Sequence, residues 1–220
     1  MIFGINSSII SPAIPKIMNT TRLLKEELED LYSSGKSMTE ISTLLKCSTH
    51  KIVYWMTKYG IKRRTMSQAI YVKSNPNGDP FKIKDNMNYQ EKFLYGLGLG
   101  IYWGEGEKTS KGHVRVANTN PSLLRTFRDF LTINCQVLPS RLHYYLICFN
   151  DSNPEEAKEF WAKELNIAEE KFGKIVQIPP QGKGSYRRKS NYGVCTVEVS
   201  NTKLKYWIMQ ELDKLNVMPR

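Results

Sequence analysis

From Arg22 onward, Leu24, Leu28 and Leu31 fall at i, i+4 and i+7, opposite a face of Glu and Lys. That period predicts a first helix, stopped by Ser33-Ser34-Gly35. A second short helix is expected over about 38–45, with Ile41, Leu44 and Leu45 inward. After a break at Lys46-Cys47, Ser48 stands where a cap would start a third helix, which runs to about Tyr59 and ends at Gly60. Ile52, Val53 and Met56 form its inner side, so His50, Lys51, Tyr54 and Lys58 face outward. Residues 74–85, SNPNGDPFKIKD, gather Pro, Gly, Asn and Asp and mark a domain boundary. Beyond it the pattern predicts a helix (89–104), a strand (112–118), a helix (121–133), a strand (141–149) and a helix (154–165). A strand (172–178), a basic loop (179–191), a strand (192–200) and a final helix (202–215) follow. Alternation marks two sheet faces: Leu142, Leu146 and Cys148 against Arg141, His143 and Tyr145, and Val114 and Val116 against His113 and Arg115. The chain thus divides into an irregular arm (1–20), a three-helix unit (21–73), a linker (74–88) and an α+β domain (89–220).

Composition sharpens this picture. In 220 residues, 40% are hydrophobic, enough for a real core, and no apolar run approaches the roughly 18 residues of a membrane span. The start of the chain lacks a positive n-region, so a signal peptide is not expected. Cys47, Cys135, Cys148 and Cys195 have no paired spacing, which argues for reduced thiols in a cytoplasmic protein and against a disulfide or zinc framework. Lys and Arg number 32 against 21 acids, a net charge of +11. Such an excess favours polyanions, nucleic acid above all, because each phosphate contact releases counterions. Anionic membrane is disfavoured by the lack of a long basic amphipathic helix.

The tight link between the second and third helices suits a helix-turn-helix, whose later helix enters the major groove. His50, Lys51, Tyr54 and Lys58 would then meet phosphates and base edges, with Lys62, Arg63 and Arg64 clamping the backbone. Gly35-Lys-Ser37-Met-Thr-Glu40-Ile41 followed by Ser48-Thr49-His50-Lys51-Ile52 resembles the helix-turn-helix units of resolvase and homeodomain-like regulators over about forty residues. A small helical bundle that only packs on its neighbour is the plain alternative.

In the helix at 89–104, Gly96, Gly100 and Gly104 are four apart and share one face. Each costs up to about 1 kcal/mol of helix stability, so three together point to close approach by another backbone. The helix ends at Glu105-Gly106, where Gly106 is expected in the left-handed terminating conformation and Glu105 near free carbonyls that favour a hard cation such as Mg²⁺. A glycine-rich packing helix with a solvent-exposed Glu105 is the alternative. Residues 98–106, GLGIYWGEG, resemble the LAGLIDADG motif of homing endonucleases and their relatives. The resemblance implies that Gly100 and Gly104 are small contact positions, Glu105 the acidic metal ligand and Gly106 the closing glycine; Tyr102 and Trp103 depart from the pattern. It also implies an α-β-(α)-β-α-β-β-α domain whose antiparallel sheet faces DNA, with Arg115, Arg141 and His143 turned outward. Only one motif is present, so the second acid would come from a homodimer paired through this helix.

Residues 171–189 hold Lys171, Lys174, Lys183, Arg187, Arg188 and Lys189 without an acid, a phosphate-contacting loop by charge. There is no zinc-hydrolase motif and no glycine-rich phosphate loop after a strand, so zinc hydrolysis and a nucleotide cofactor are both disfavoured. The leading expectation is an α+β, site-specific, Mg²⁺-dependent endonuclease of double-stranded DNA. Glu105 of each subunit would hold the ion, which activates water and stabilises the leaving oxygen. Lys108 and Lys203 are the candidates for a basic pocket residue. A non-catalytic helix-turn-helix/LAGLIDADG-like transcriptional regulator is the rival, and an RNA-binding splicing helper shares the same basic surface.

Overall fold

The computed structural model describes residues 22–150, 152–179 and 190–216. The arm at 1–20 and the basic-loop residues Lys183, Arg187, Arg188 and Lys189 lie outside the described residues. The chain divides between Gly78 and Asp79 into two compact units. Among the described residues there are eight α-helices and four strands, an α+β architecture, and no helix is long and apolar enough to cross a membrane.

The first unit holds α1 (Lys25–Ser33), α2 (Met38–Leu44), α3 (Thr49–Lys58) and α4 (Met66–Ser74). Leu23, Leu28, Ile41, Ile52 and Met56 are its buried centre, edged by Leu31, Tyr32, Leu45 and Trp55. Two expected inward positions differ. Leu24 is exposed because it precedes the first helical residue and leaves the helical wheel, so Leu23 takes the core place. Leu44 is exposed, and Leu45 packs one turn beyond Ile41 instead. Ser37 and Glu40 close a reciprocal cap on α2, and Ser48 caps α3. Gly35 sits at φ +97°, a left-handed turn that glycine enters without strain. α4 was not foreseen. A Thr65–Gln68 capping box starts it, yet none of its residues is buried, so it has no apolar period to read.

The second unit gathers up most of the expected linker. Phe81 and Ile83 pack on its core, and the amides of Lys82 and Lys84 donate to the carbonyls of Cys135 and Asn134. α5 (Tyr89–Glu105) opens on an Asn88–Glu91 capping box. It buries Leu99 and Tyr102 and lays Gly98 against Phe130, where an added Cβ would stand 2.2 Å from the ring carbon Cγ. β1 (His113–Asn118), α6 (Pro121–Asp129) with a π-helical turn (Phe130–Asn134), β2 (Leu142–Phe149), α7 (Pro154–Leu165), β3 (Val176–Ile178), β4 (Val194–Ser200) and α8 (Thr202–Asn216) follow.

The four strands form one sheet in the order β1-β4-β2-β3. It is mixed, not antiparallel as expected: β1–β4 and β4–β2 run antiparallel, whereas β2–β3 is parallel. The cause is α7, which returns the chain along the sheet so that β3 enters in the direction of β2. One face buries Val114, Val116, Leu142, Tyr144, Leu146, Val197 and Val199, with Phe127, Trp161, Leu204 and Ile208 in the same core. The opposite face carries the polar set.

Candidate nucleic-acid and metal site

The end of α5 is built by a short chain reversal. Gly106 has φ −72° and ψ 142°, so it is extended rather than left-handed as expected. Glycine is required there for space. A Cβ would fall 2.4 Å from the Tyr102 carbonyl oxygen and 2.5 Å from its ring. The Gly106 amide donates to that carbonyl at 2.9 Å, Gly106 bridges Val116, and the Glu107 amide donates to the Arg115 carbonyl at 3.1 Å. The chain therefore passes from helix directly onto the edge of β1, and places two carboxylates, Glu105 and Glu107, on either side of the bridging glycine.

The two acids are employed differently. Glu105, the last residue of α5, is exposed and makes no hydrogen bond or ion pair among the described residues. Glu107 accepts from the Thr109 hydroxyl, from the Thr109 amide at 2.6 Å and from the Ser110 amide at 2.7 Å. Its pKa is pulled down to about 2, first by the Thr109 hydroxyl and the Ser110 amide, which outweigh the opposing desolvation, and then by the Thr109 amide and the Lys205 charge.

Lys205 was not foreseen. It is 3% exposed, and its ammonium donates to the Tyr102 hydroxyl at 2.5 Å and to the Glu107 carbonyl oxygen. Tyr102 donates to the same carbonyl at 2.5 Å. Burial lowers the Lys205 pKa, opposed by Glu107, and burial raises that of Tyr102. Spacing was the available signal: Lys205, Ile208 and Leu212 fall at i, i+3 and i+7, which puts the lysine on the apolar side of α8. The residues expected for this role lie elsewhere in use. Lys203 is paired with Asp79 at 2.8 Å, and Lys108 is exposed.

The outer sheet face continues the charged cluster. Arg115 lies between Glu107 at 3.8 Å and Glu198 at 3.7 Å. Glu198 is buried, with the His113 Nδ1 at 2.8 Å from Oε1 and the Ser200 hydroxyl donating to the same oxygen at 3.2 Å. His113 and Arg115 remain nearly half exposed. His143 and Arg141 are exposed, the latter in the short turn before β2. Glu198 thus faces outward in register but is sheltered by His113, Arg115 and Ser200.

In the first unit, His50, Tyr54 and Lys58 are exposed on α3 and Lys51 is half-buried. The Lys58 ammonium lies 4.9 Å from the Trp55 ring centroid and 5.8 Å from that of Tyr54. Arg63 is exposed. Arg64 is spent internally: its guanidinium donates to the carbonyls of Tyr32, Lys36 and Gly35 and stacks 4.0 Å from the Tyr32 ring centroid.

Gly96, Gly100 and Gly104 are exposed, and a Cβ on any of them would meet nothing within 4 Å beyond its own helix backbone and chain neighbours. The close approach expected at this face does not occur within the described chain. Tyr89, Phe93, Leu97 and Trp103 are exposed too, and these seven positions span about 120° of the helix surface at 3.6 residues per turn. Among the described residues, no three His, Cys, Asp or Glu side chains come together as a metal-binding group. No protein-family model, curated protein or solved structure matches this chain.

Proposed function

We propose that the chain is a homodimeric, site-specific endonuclease of LAGLIDADG type acting on double-stranded DNA, with the first unit serving as a helix-turn-helix DNA reader. The observation that carries this reading is at the end of α5. Glu105 is a carboxylate without a partner among the described residues, one residue beyond an open stripe of glycine and apolar side chains, while Oε1 of Glu107 accepts three hydrogen bonds. Two α5 helices crossing at Gly100 and Gly104 would bring two Glu105 carboxylates to one end of the contact, on opposite sides of a two-fold axis.

The donor set fits a hard divalent cation. Carboxylate oxygens and the carbonyls at a helix C-terminus suit Mg²⁺. Among the described residues the end of α5 offers one carboxylate without a partner, Glu105, so the second would come from the partner subunit. When bound, such an ion supplies an acidified water and charge neutralisation at the leaving oxygen of an in-line displacement. This chain's own residues do the rest. Lys205 and Tyr102 fix the Glu107 carbonyl and hold the α5–β1 turn, so Glu105 is presented from a rigid base. Arg115, His113 and His143 offer donors to a phosphate backbone or base edge across the outer sheet face. On the first unit, His50, Lys51, Tyr54 and Lys58 with Arg63 provide a second contact surface.

A non-catalytic DNA-binding regulator is the second reading, and it is favoured by one fact: among the described residues no single-chain metal cluster exists. The test begins by selecting a bound duplex from a random library. That duplex is then incubated with the protein in Mg²⁺, Mn²⁺ or EDTA. The endonuclease reading expects metal-dependent double-strand cuts within the selected site. Tight binding with intact DNA in every metal would leave the regulator.

A further inference from the structure

α4 is a helix without a core. None of its residues is buried, although Met66, Ala69 and Ile70 fall at i, i+3 and i+4 on one side. That stripe faces outward: Met66 is 78% exposed and Ile70 59%, while Val72 is half-buried beside the Gly35 turn. Nine residues make a marginal helix alone, because most helical stability comes from packing an apolar face. The same region is uniformly basic. From Ile41 to Gly78 the chain holds no acid, and the exposed Lys62 and Lys73, before and after the stripe, have no ion-pair partner among the described residues.

α1 is its electrostatic opposite. The unit up to Gly78 holds five acids, and Glu26, Glu27, Glu29 and Asp30 all lie on α1. Glu29 pairs with Lys25, whereas the carboxylates of Glu26, Glu27 and Asp30 have no partner among the described residues. Just before them Leu24 is 64% exposed. The two surfaces do not meet within one chain. The Arg64 amide donates to the Tyr32 hydroxyl at 2.7 Å, so the chain enters α4 at the far end of α1 from Leu24, and no ion pair joins Lys73 to an acid of α1.

We propose that α4 docks on the start of α1 of a second copy, head to tail. Charge complementarity selects this occupant: Lys62 and Lys73 would face Glu26, Glu27 and Asp30, with Met66 and Ile70 covering Leu24. The contact uses two different patches, so each copy keeps one of each free and the contact repeats from copy to copy. A helix about 14 Å long covers far less than the about 800 Å² per partner of a stable interface, so the contact is weak and screened by salt. It goes beyond the endonuclease reading and makes no use of α5.

The experiment mixes isotope-labelled and unlabelled full chains at low salt and treats them with a carbodiimide, which joins an ammonium to a carboxylate in contact. Mass spectrometry should find Lys73 of one copy bonded to Glu26 or Glu27 of another, and high salt should abolish the bond. Ile70→Ser and Leu24→Ser keep both reacting groups and sit at exposed positions, so each should lose most of the bond at an unchanged melting temperature. Lys73→Glu/Glu27→Lys exchanges the charges and should form the bond between positions 27 and 73 with the roles reversed. The bond should persist in Gly100→Leu, which separates it from pairing through α5. Lys73 that joins no second copy would overturn the proposal, and a bond to an acid of its own chain would give the stripe an intramolecular cover instead. An intermolecular bond that ignores Ile70→Ser and Leu24→Ser, or that vanishes in Gly100→Leu, would overturn it too.

Discussion

Arg63 and Arg64 are neighbours in sequence and opposites in use. Arg64 satisfies three main-chain carbonyls and stacks on Tyr32, so Arg64→Ala should lower the stability of the first unit by about 2 kcal/mol, the scale of charged hydrogen bonds lost from a partly buried site. Arg63→Ala should leave the melting temperature alone and reduce the slope of log affinity against log salt by about 1, as one phosphate contact would. Equal effects of the two substitutions on stability would contradict this division. Glu107 gives a pH prediction. Its carboxyl titrates near 2 in the folded chain against an ordinary 4.5, so the folded state binds fewer protons than the unfolded one between those values. The contribution is whole above pH 4.5 and is lost as pH falls toward 2. Glu40, held by Ser37, and Glu91, held by Lys84 and Asn88, are shifted in the same direction. Denaturant unfolding of Glu107→Gln should show a stability deficit at pH 6 that narrows steadily toward pH 2.5; a deficit constant with pH would assign Glu107 no electrostatic role.

At the scale of elements, two glycines of α5 have opposite requirements. Gly98 lies against the Phe130 ring, so Gly98→Ala should overpack the core and destabilise the second unit by about 1–3 kcal/mol. Gly100 faces open space, so Gly100→Ala should raise monomer stability by up to about 1 kcal/mol through helix propensity. In the proposed dimer Gly100→Leu should abolish association, which sedimentation of the wild type and the variant reads directly. A wild type that remains monomeric with DNA would remove the paired-helix account. Most elements were legible because their apolar periods are clean, as in β2, where Leu142, Tyr144, Leu146 and Cys148 alternate with exposed positions. α4 was not, since it buries no residue and so leaves no period. The parallel entry of β3 had its signal in the helix before it. Around the end of α5, the shared face of Gly96, Gly100 and Gly104 was legible from spacing, whereas the Lys205–Tyr102–Glu107 linkage was not. It joins residues about a hundred positions apart, and a lysine in the sequence looks like a surface charge until its helical face is known.

For the whole molecule, the proposed DNA reading would use two separate surfaces, the exposed face of α3 and the outer sheet face, on a chain with an excess of positive charge. Linking two such surfaces makes the second contact intramolecular, so affinity should exceed that of either surface without new bonds. The central claim, however, concerns one carboxylate. Glu105 has no partner among the described residues, so Glu105→Gln removes a charge at nearly constant volume and should leave the fold and the DNA affinity in Ca²⁺ or EDTA within a few-fold of wild type. The decisive measurement is cleavage of a duplex first selected by binding, in Mg²⁺ and Mn²⁺, with wild type and Glu105→Gln side by side. The account predicts metal-dependent cutting by the wild type and its collapse in the variant at preserved affinity. Cutting by Glu105→Gln at the wild-type rate, or a wild type that binds this site tightly and never cuts, would contradict it.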